Sequence, residues 1–217
     1  MSEAGDRTKV SRSISYDSPE SATVFRIAWF AAASRPGVIL TEHSEAESKI
    51  FKAKALFQVH INDQKADLRI WVEEAQRSVE FTVWGSEDEA QLTAYLDEIV
   101  AEAKSAIEKF NTLDDGDKQR VRRALVAKAC WDRLVHDILN KAPASSVYFQ
   151  LAHGREMVIK ATEGEEVHPL TLTTSAWLTN IESLPQDEPL PASTATELAK
   201  KSVDWKRETV ALIKRYL

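Results

Sequence analysis

Apolar and polar residues alternate most clearly between Ala66 and Trp84. In residues 68–72 and again in residues 79–84, every second side chain is apolar, which is the spacing of a strand with one buried face. The short polar segment between the two runs predicts an antiparallel hairpin. It lacks the Asn-Gly or Asp-Gly pair that would fix the turn type.

A period of three to four residues follows the hairpin and predicts a long amphipathic helix. Ser86 offers a capping hydroxyl, and the acidic residues after it suit the positive end of the helix dipole. Apolar residues from Leu92 to Phe110 then form one continuous stripe. The sheet face and the helix stripe must bury each other, so the expected core includes Leu68, Ile70, Phe81 and Ile99.

An earlier apolar segment, residues 24–33, predicts a second helix. Residues 18–20, Ser-Pro-Glu, are typical of a helix start, and Pro36 with Gly37 marks its end. Nearly every side of this helix is apolar, so we expect it to be well buried.

Residues 45–55 fit two patterns, a helix that starts with a capping box and a strand with strict alternation. We predict one or two helical turns from Glu45, followed by a strand that ends at Ile61. With the hairpin, that strand would complete a three-stranded antiparallel meander.

The second half of the chain predicts further helices and one more hairpin. A helix follows the polar loop at residues 111–117, and two apolar runs, residues 147–151 and 157–161, predict a hairpin that turns at Gly154. Residues 171–181 favour a short helix. The expected fold class is therefore α+β: an antiparallel β-meander packed against long amphipathic helices, with a second hairpin and a C-terminal helix.

The composition of successive segments predicts the domain organisation. Residues 1–17 lack periodicity and are rich in small and charged residues, which is typical of a flexible tail. Residues 18–184 would form one α+β globular domain. The proline-rich residues 185–193 are typical of a linker, and residues 194–217 predict a C-terminal helix that docks on the domain or on a partner.

Overall composition indicates an ordinary globular protein, since 43% of residues are hydrophobic and 29% are charged. No apolar run approaches the roughly 20 residues that span a bilayer. The start of the chain lacks the pattern of a secretory signal, and a single cysteine, Cys130, cannot form an internal disulfide. We therefore expect a cytoplasmic protein that does not associate with membranes.

Motifs of known chemistry are missing from the sequence. It contains no glycine-rich phosphate loop and no GxSxG string, and its histidines lack the spacing of a metal site. Asp132 and His136 would share a helix face, but Cys130 and His136 would lie nearly opposite each other, which excludes a thiol–imidazole pair. A salt-linked surface histidine is the favoured interpretation. We expect no catalytic residues, no metal and no cofactor.

Three tryptophans are candidate partner-binding residues: Trp71, Trp84 and Trp205. By strand alternation, Trp71 and Trp84 face away from the apolar side of the hairpin. Exposed aromatic residues on a sheet favour partner binding. The alternative is that the helix at residues 24–33 covers them, and we favour this because that helix also needs burial.

A local excess of basic residues supports a second hypothesis, because positive side chains can neutralise nucleic-acid phosphates. The net charge of −6 argues against a surface that binds nucleic acid broadly. The leading hypothesis is a non-enzymatic protein-binding module with an adaptor, chaperone or inhibitor/immunity-type role. The alternative is a nucleic-acid-associated accessory subunit that uses a basic helix face at residues 118–133. Its candidate contacts are Lys118, Arg120, Arg122, Arg123 and Lys128.

Overall fold

The chain divides into two compact units in its structure, a computed structural model that describes residues 7–17, 20–47, 51–163 and 168–217. The N-terminal unit is Met1–Asn111 and the C-terminal unit is Thr112–Leu217. The predicted α+β class is confirmed. One domain was expected over residues 18–184, whereas the chain divides into two units between residues 111 and 112. This boundary falls where one long helix ends and the next begins.

A five-stranded antiparallel sheet forms the centre of the N-terminal unit, with strand order β1-β5-β4-β3-β2. Two helices accompany it, α1 (Ser21–Ala33) and α2 (Glu89–Thr112). The strands are β1 Thr8–Ser15, β2 Ile39–Glu47, β3 Phe51–Ile61, β4 Gln64–Glu73 and β5 Ser78–Gly85.

The predicted hairpin and meander are confirmed, because β3, β4 and β5 pair in sequence order. Ile70 lies opposite Phe81 in the register. Between β3 and β4, Asn62 and Asp63 have φ angles of 49° and 65°, the left-handed geometry that suits a two-residue hairpin turn. The predicted long helix is also confirmed as α2, but Asp88 rather than Ser86 caps it, accepting a hydrogen bond from the Gln91 backbone N–H at 2.8 Å.

The apolar face of the sheet packs against α1. The Trp29 ring meets the Phe57 ring edge-on, with 5.5 Å between centroids, and Phe25 contacts Phe51 in a similar way. Each fully buried side chain of this size stabilises the fold by about 1.5–3 kcal/mol. Because α1 covers this face, it does not cover Trp71 and Trp84, and the favoured prediction for these two residues is wrong.

Two local predictions in the N-terminal unit are wrong. Residues 8–15, expected in a flexible tail, form β1, which pairs with β5 and buries Val10 and Ile14. The helical turns expected from Glu45 are replaced by β2 and β3, which pair with each other; residues 48–50 lie outside the described residues. In both places the pairing with a distant strand decides the conformation, and local propensity does not reveal it.

Four helices build the C-terminal unit: α3 Asp115–Leu139, α4 Ala144–Ala161, α5 Pro169–Glu182 and α6 Ala192–Lys214. The short helix expected at residues 171–181 is confirmed as part of α5. The second hairpin is wrong, because both of its predicted strands lie within α4. Gly154, taken as the turn, lies instead in the middle of that helix. A Cβ atom there would stand 2.6 Å from the Trp131 ring, so glycine permits close contact between α4 and α3.

The core of this unit centres on two tryptophans. The rings of Trp131 on α3 and Trp205 on α6 lie 5.5 Å apart. Both indole N–H groups donate hydrogen bonds, Trp131 to the Thr209 hydroxyl at 2.9 Å and Trp205 to the Thr173 hydroxyl at 3.1 Å. The predicted C-terminal helix therefore docks on α3.

The segment expected to be a proline-rich linker is tied to the start of α4. The backbone N–H of Ala144 donates to the carbonyl of Glu188 at 2.7 Å, and that of Ser145 donates to the carbonyl of Gln186 at 3.0 Å. These bonds satisfy amide groups that the first turn of a helix leaves without partners. Among the helices in the described ranges, none combines the length and the apolar character needed to cross a membrane.

Candidate functional site

An apolar groove lies between the end of α3 and the first half of α6. Two adjoining cavities of about 470 and 440 Å³ form it, and both are lined by Ile138, Leu139, Ala195 and Thr196. We call it the α3–α6 groove, and its central residues are Ile138, Leu139, Ala195, Thr196, Ala199 and Val203.

Helical periodicity explains how α6 contributes to two surfaces. One face buries Leu198, Trp205 and Leu212, each seven residues after the last, and it docks the helix. Val203 lies five residues after Leu198, about 140° around the helix, and therefore faces the groove. Val203 is 61% exposed.

The opposite wall forms where α3 ends. Asn140 caps the helix, and Lys141 has a φ angle of 52°, a left-handed conformation in which the chain leaves the helical path. Ile138 and Leu139 therefore lie at the exposed end of the helix, and Leu139 is 58% exposed. Two large apolar side chains thus protrude on opposite walls of one groove.

The charged side chains that line the groove are all positive. Its lining includes two charged side chains, Lys141 and Lys200, and no carboxylate. Both lysines are exposed, and neither forms an ion pair with another residue of the described ranges. The groove is therefore an apolar surface with a positive rim.

A second surface is the outer face of the sheet, which carries Trp71 and Trp84. Both side chains are partly exposed, so the structure places these predicted contacts where a partner can reach them. Beside Trp84 is a cavity of about 330 Å³, also lined by Arg7, Lys9 and Arg69. Partner binding by Trp71 and Trp84 stays a prediction.

Nearby acids reduce the positive charge of this cavity. Arg7 pairs with Asp67 at 2.8 Å, and Arg69 pairs with Glu80 at 2.6 Å. Burial alone would raise the pKa of Glu80, but hydrogen bonds from Thr82 and Arg69 and the nearby positive charges lower its pKa overall. Glu80 therefore stays ionised near neutral pH, and with the two ion pairs this cavity attracts anions less strongly than its cations alone would indicate.

Trp205, the third predicted partner-binding tryptophan, is only 2% exposed. Its ring packs on Trp131 inside the C-terminal unit. The prediction that it binds a partner is wrong, because the helix expected to dock through it already docks on α3.

The predicted nucleic-acid contacts do not all reach the surface. Lys128 is buried, so its inclusion is wrong. Arg123 donates a hydrogen bond to the carbonyl of Lys160, and Arg120 lies 3.4 Å from the Tyr216 hydroxyl. Lys118 and Arg122 are partly exposed on the same helix. Contact with nucleic acid by the four remaining residues stays a prediction.

Lys128 instead belongs to a buried ionic cluster that the sequence does not reveal. The Asp132 carboxylate lies 2.6 Å from the Lys128 ammonium and 2.8 Å from the Lys206 ammonium, so it links α3 to α6. Burial opposes the charge on Asp132, but the two lysines outweigh it and lower the pKa of Asp132. Burial also lowers the pKa of Lys128, which Asp132 only partly offsets.

Other candidate chemistry is not assembled. The Cys130 thiol is buried, and the Asp132 carboxylate is held by two lysines. Within the described ranges, His, Cys, Asp and Glu side chains form no group of three or more that could hold a metal ion. Of the two surfaces described above, the α3–α6 groove has the larger cavities and the more apolar lining.

No protein-family model matches this chain, and comparisons with curated proteins and with solved structures found no significant similarity.

The sequence analysis did not predict the groove residues as a binding site. Leu139 and Val203 both look like members of the buried stripes of their helices. The available signal is their angular offset from those stripes, which places them at a margin rather than at the centre of the packed face.

Proposed function

We propose that this chain is a non-enzymatic protein-binding module and that the α3–α6 groove is where its partner binds. The observation that carries the proposal is the pair of protruding apolar side chains, Leu139 and Val203, on opposite walls of one apolar groove. Contiguous exposed apolar surface is typical of interaction sites. An adaptor, a chaperone and an inhibitor/immunity-type protein all act through such a surface.

Burial of this surface supplies the driving force for binding. Each square ångström of apolar area removed from water contributes about 25 cal/mol before the entropic costs of association are subtracted. Residues on both sides of a groove surround an inserted side chain more completely than a flat surface does. The central anchors of an interface gain most from this exclusion of water.

Charged substitutions on both walls test the proposal. Leu139→Glu combined with Val203→Glu is expected to weaken binding to the native partner by about 100-fold or more, because two carboxylates would be buried without partners. The native complex is first isolated with a tagged wild-type chain under mild conditions. The purified partner is then titrated by calorimetry against wild-type and variant chains.

The matched control is Leu172→Glu on α5. Leu172 is 66% exposed and lies outside the groove. All three substituted side chains are exposed, so unfolding free energies should change by no more than about 0.5 kcal/mol each. Recovery of the chain only as a free monomer, or equal partner affinity in wild type and the double variant, would contradict the proposal.

A further inference from the structure

The dimensions of the α3–α6 groove limit what can occupy it. Its lining on α6 extends from Ala192 to Val203, which is about 16 Å along the axis at 1.5 Å per residue. That length matches about three turns of a partner helix.

The backbone of the groove favours a helix over an extended segment. Most of the lining residues lie on helices, and the others belong to segments that connect helices. No lining residue belongs to a strand, so the groove offers no strand edge for an extended peptide to pair with. A helix satisfies its own backbone hydrogen bonds and needs only side-chain contact. It also presents apolar side chains at intervals of three and four residues, the pattern that fills a groove of this kind.

The shape of the groove allows a helix to approach closely. Several side chains on the α6 wall are small, with Ala195, Thr196 and Ala199 in successive turns of the helix. Packed helices approach to about 8–10 Å between axes, and the shorter distances need small side chains at the contact. Leu139 and Val203 would then contact the partner helix from opposite sides.

The charges determine which helix fits. Lys141 lines one cavity, and Lys200 lines the other together with Val203. The lining residues of both cavities include no carboxylate. Docking of two copies groove to groove would bring lysine against lysine. We infer, on the basis of the proposed function, that the groove receives an amphipathic helix of about three turns whose apolar stripe is flanked by carboxylates.

Two designed peptides of about 14 residues test this inference. Both carry leucines at helical spacing on an alanine-rich helix; one has glutamates flanking the stripe and its twin has lysines at the same positions. Each is labelled and titrated against the full chain by fluorescence anisotropy. The acidic peptide should bind about tenfold more tightly than its twin at low ionic strength, and the difference should shrink at high salt.

Charge reversal in the groove provides the second arm. Lys141→Glu combined with Lys200→Glu should reverse the preference between the peptides. The control, Lys201→Glu combined with Lys214→Glu, makes the same change in net charge at exposed positions outside the lining and should retain the preference for the acidic peptide.

Each outcome has a distinct meaning. Equal affinity for the two peptides, or a preference unchanged by the groove reversal, overturns the acidic assignment. If neither peptide binds at about 1 mM, any binding is weaker than about 4 kcal/mol. That result overturns the helix assignment as well. The proposed function fails separately, when substitution of Leu139 and Val203 leaves affinity for the native partner unchanged.

Discussion

Replacing Asp132 with alanine is expected to lower the free energy of unfolding by about 3–5 kcal/mol, because the buried ammonium group of Lys128 would lose its carboxylate partner. Lys128 is 1% exposed, so its ammonium group is fully buried in the fold. Lys206 is more accessible, with 22% of its side chain exposed, and it can turn toward water more easily. Most of the loss should therefore come from Lys128. Urea unfolding of the full chain, followed by tryptophan fluorescence, measures the change.

Asp204→Ala is the matched control. Asp204 pairs with Arg207 on the surface of α6, and exposed pairs of this kind contribute about 0–1 kcal/mol. Equal losses in the two variants would show that the Asp132 cluster does not stabilise the fold as a buried ion pair.

The same cluster predicts how stability changes with pH. Because the folded-state pKa of Asp132 lies below its ordinary value of 3.8, its contribution is fully present above 3.8 and is lost as the pH falls through the folded-state pKa. The gap in stability between wild type and Asp132→Ala should therefore narrow in acid. Lys128 acts in the opposite sense: its lowered pKa penalises folding while it is charged, and the penalty is relieved as the pH rises toward 10.5.

Replacing Trp205 with alanine is expected to cost about 3–5 kcal/mol of unfolding free energy, because it removes the largest side chain that α6 contributes to the core. The indole packs on Trp131 and donates to the Thr173 hydroxyl. Trp205→Phe should cost less, since it keeps most of the ring and loses the hydrogen bond. Thermal and urea unfolding of both variants measure these losses.

The alternative role of Trp205 gives a different result. A residue that binds a partner from the surface could be replaced at a cost below about 0.5 kcal/mol in stability while affinity for the partner falls. That combination would contradict the buried position of Trp205.

The hairpin and α2 could be predicted from sequence because their contacts are local and their patterns regular. Ile70 and Phe81 face each other across a short turn, and α2 keeps one apolar stripe over several turns. Helix α1 was predicted for the same reason, but the face of the sheet it covers was not. That choice depends on the whole face of the sheet. Leu68, Ile70 and Val72 are buried beside apolar residues of β3 and β5, whereas polar residues such as Arg69 accompany Trp84 on the other face.

Helix α4 has the regular spacing of buried residues that is typical of a helix, but its composition is typical of strands. Its β-branched and aromatic residues and its central glycine are typical of a hairpin, yet its buried residues recur at intervals of four and three. These are Val147, Leu151, Gly154, Val158 and Ala161. The glycine serves contact with Trp131, and a single sequence gives no direct sign of such a tertiary requirement.

The edge strand β1 and the α3–α6 groove were not predicted from the sequence for another reason. The strand is stabilised by pairing with residues about 70 positions later, as in Ser11 opposite Thr82. The groove forms where α3 ends beside α6, two segments separated by more than 50 residues. A local pattern shows at most that Leu139 and Val203 lie at the margins of their buried stripes, so the groove between them is evident only in the folded chain.

The most direct measurement of partner binding is site-specific photo-crosslinking with a benzophenone amino acid at Val203, compared with the same amino acid at Leu172. If the α3–α6 groove binds a partner, the Val203 probe should crosslink one protein in native cells through a single segment mapped by mass spectrometry. The Leu172 probe should not, and Leu139→Glu should abolish the Val203 product. Equal products from both positions, or no product from Val203, would contradict the proposal that this groove is a binding site.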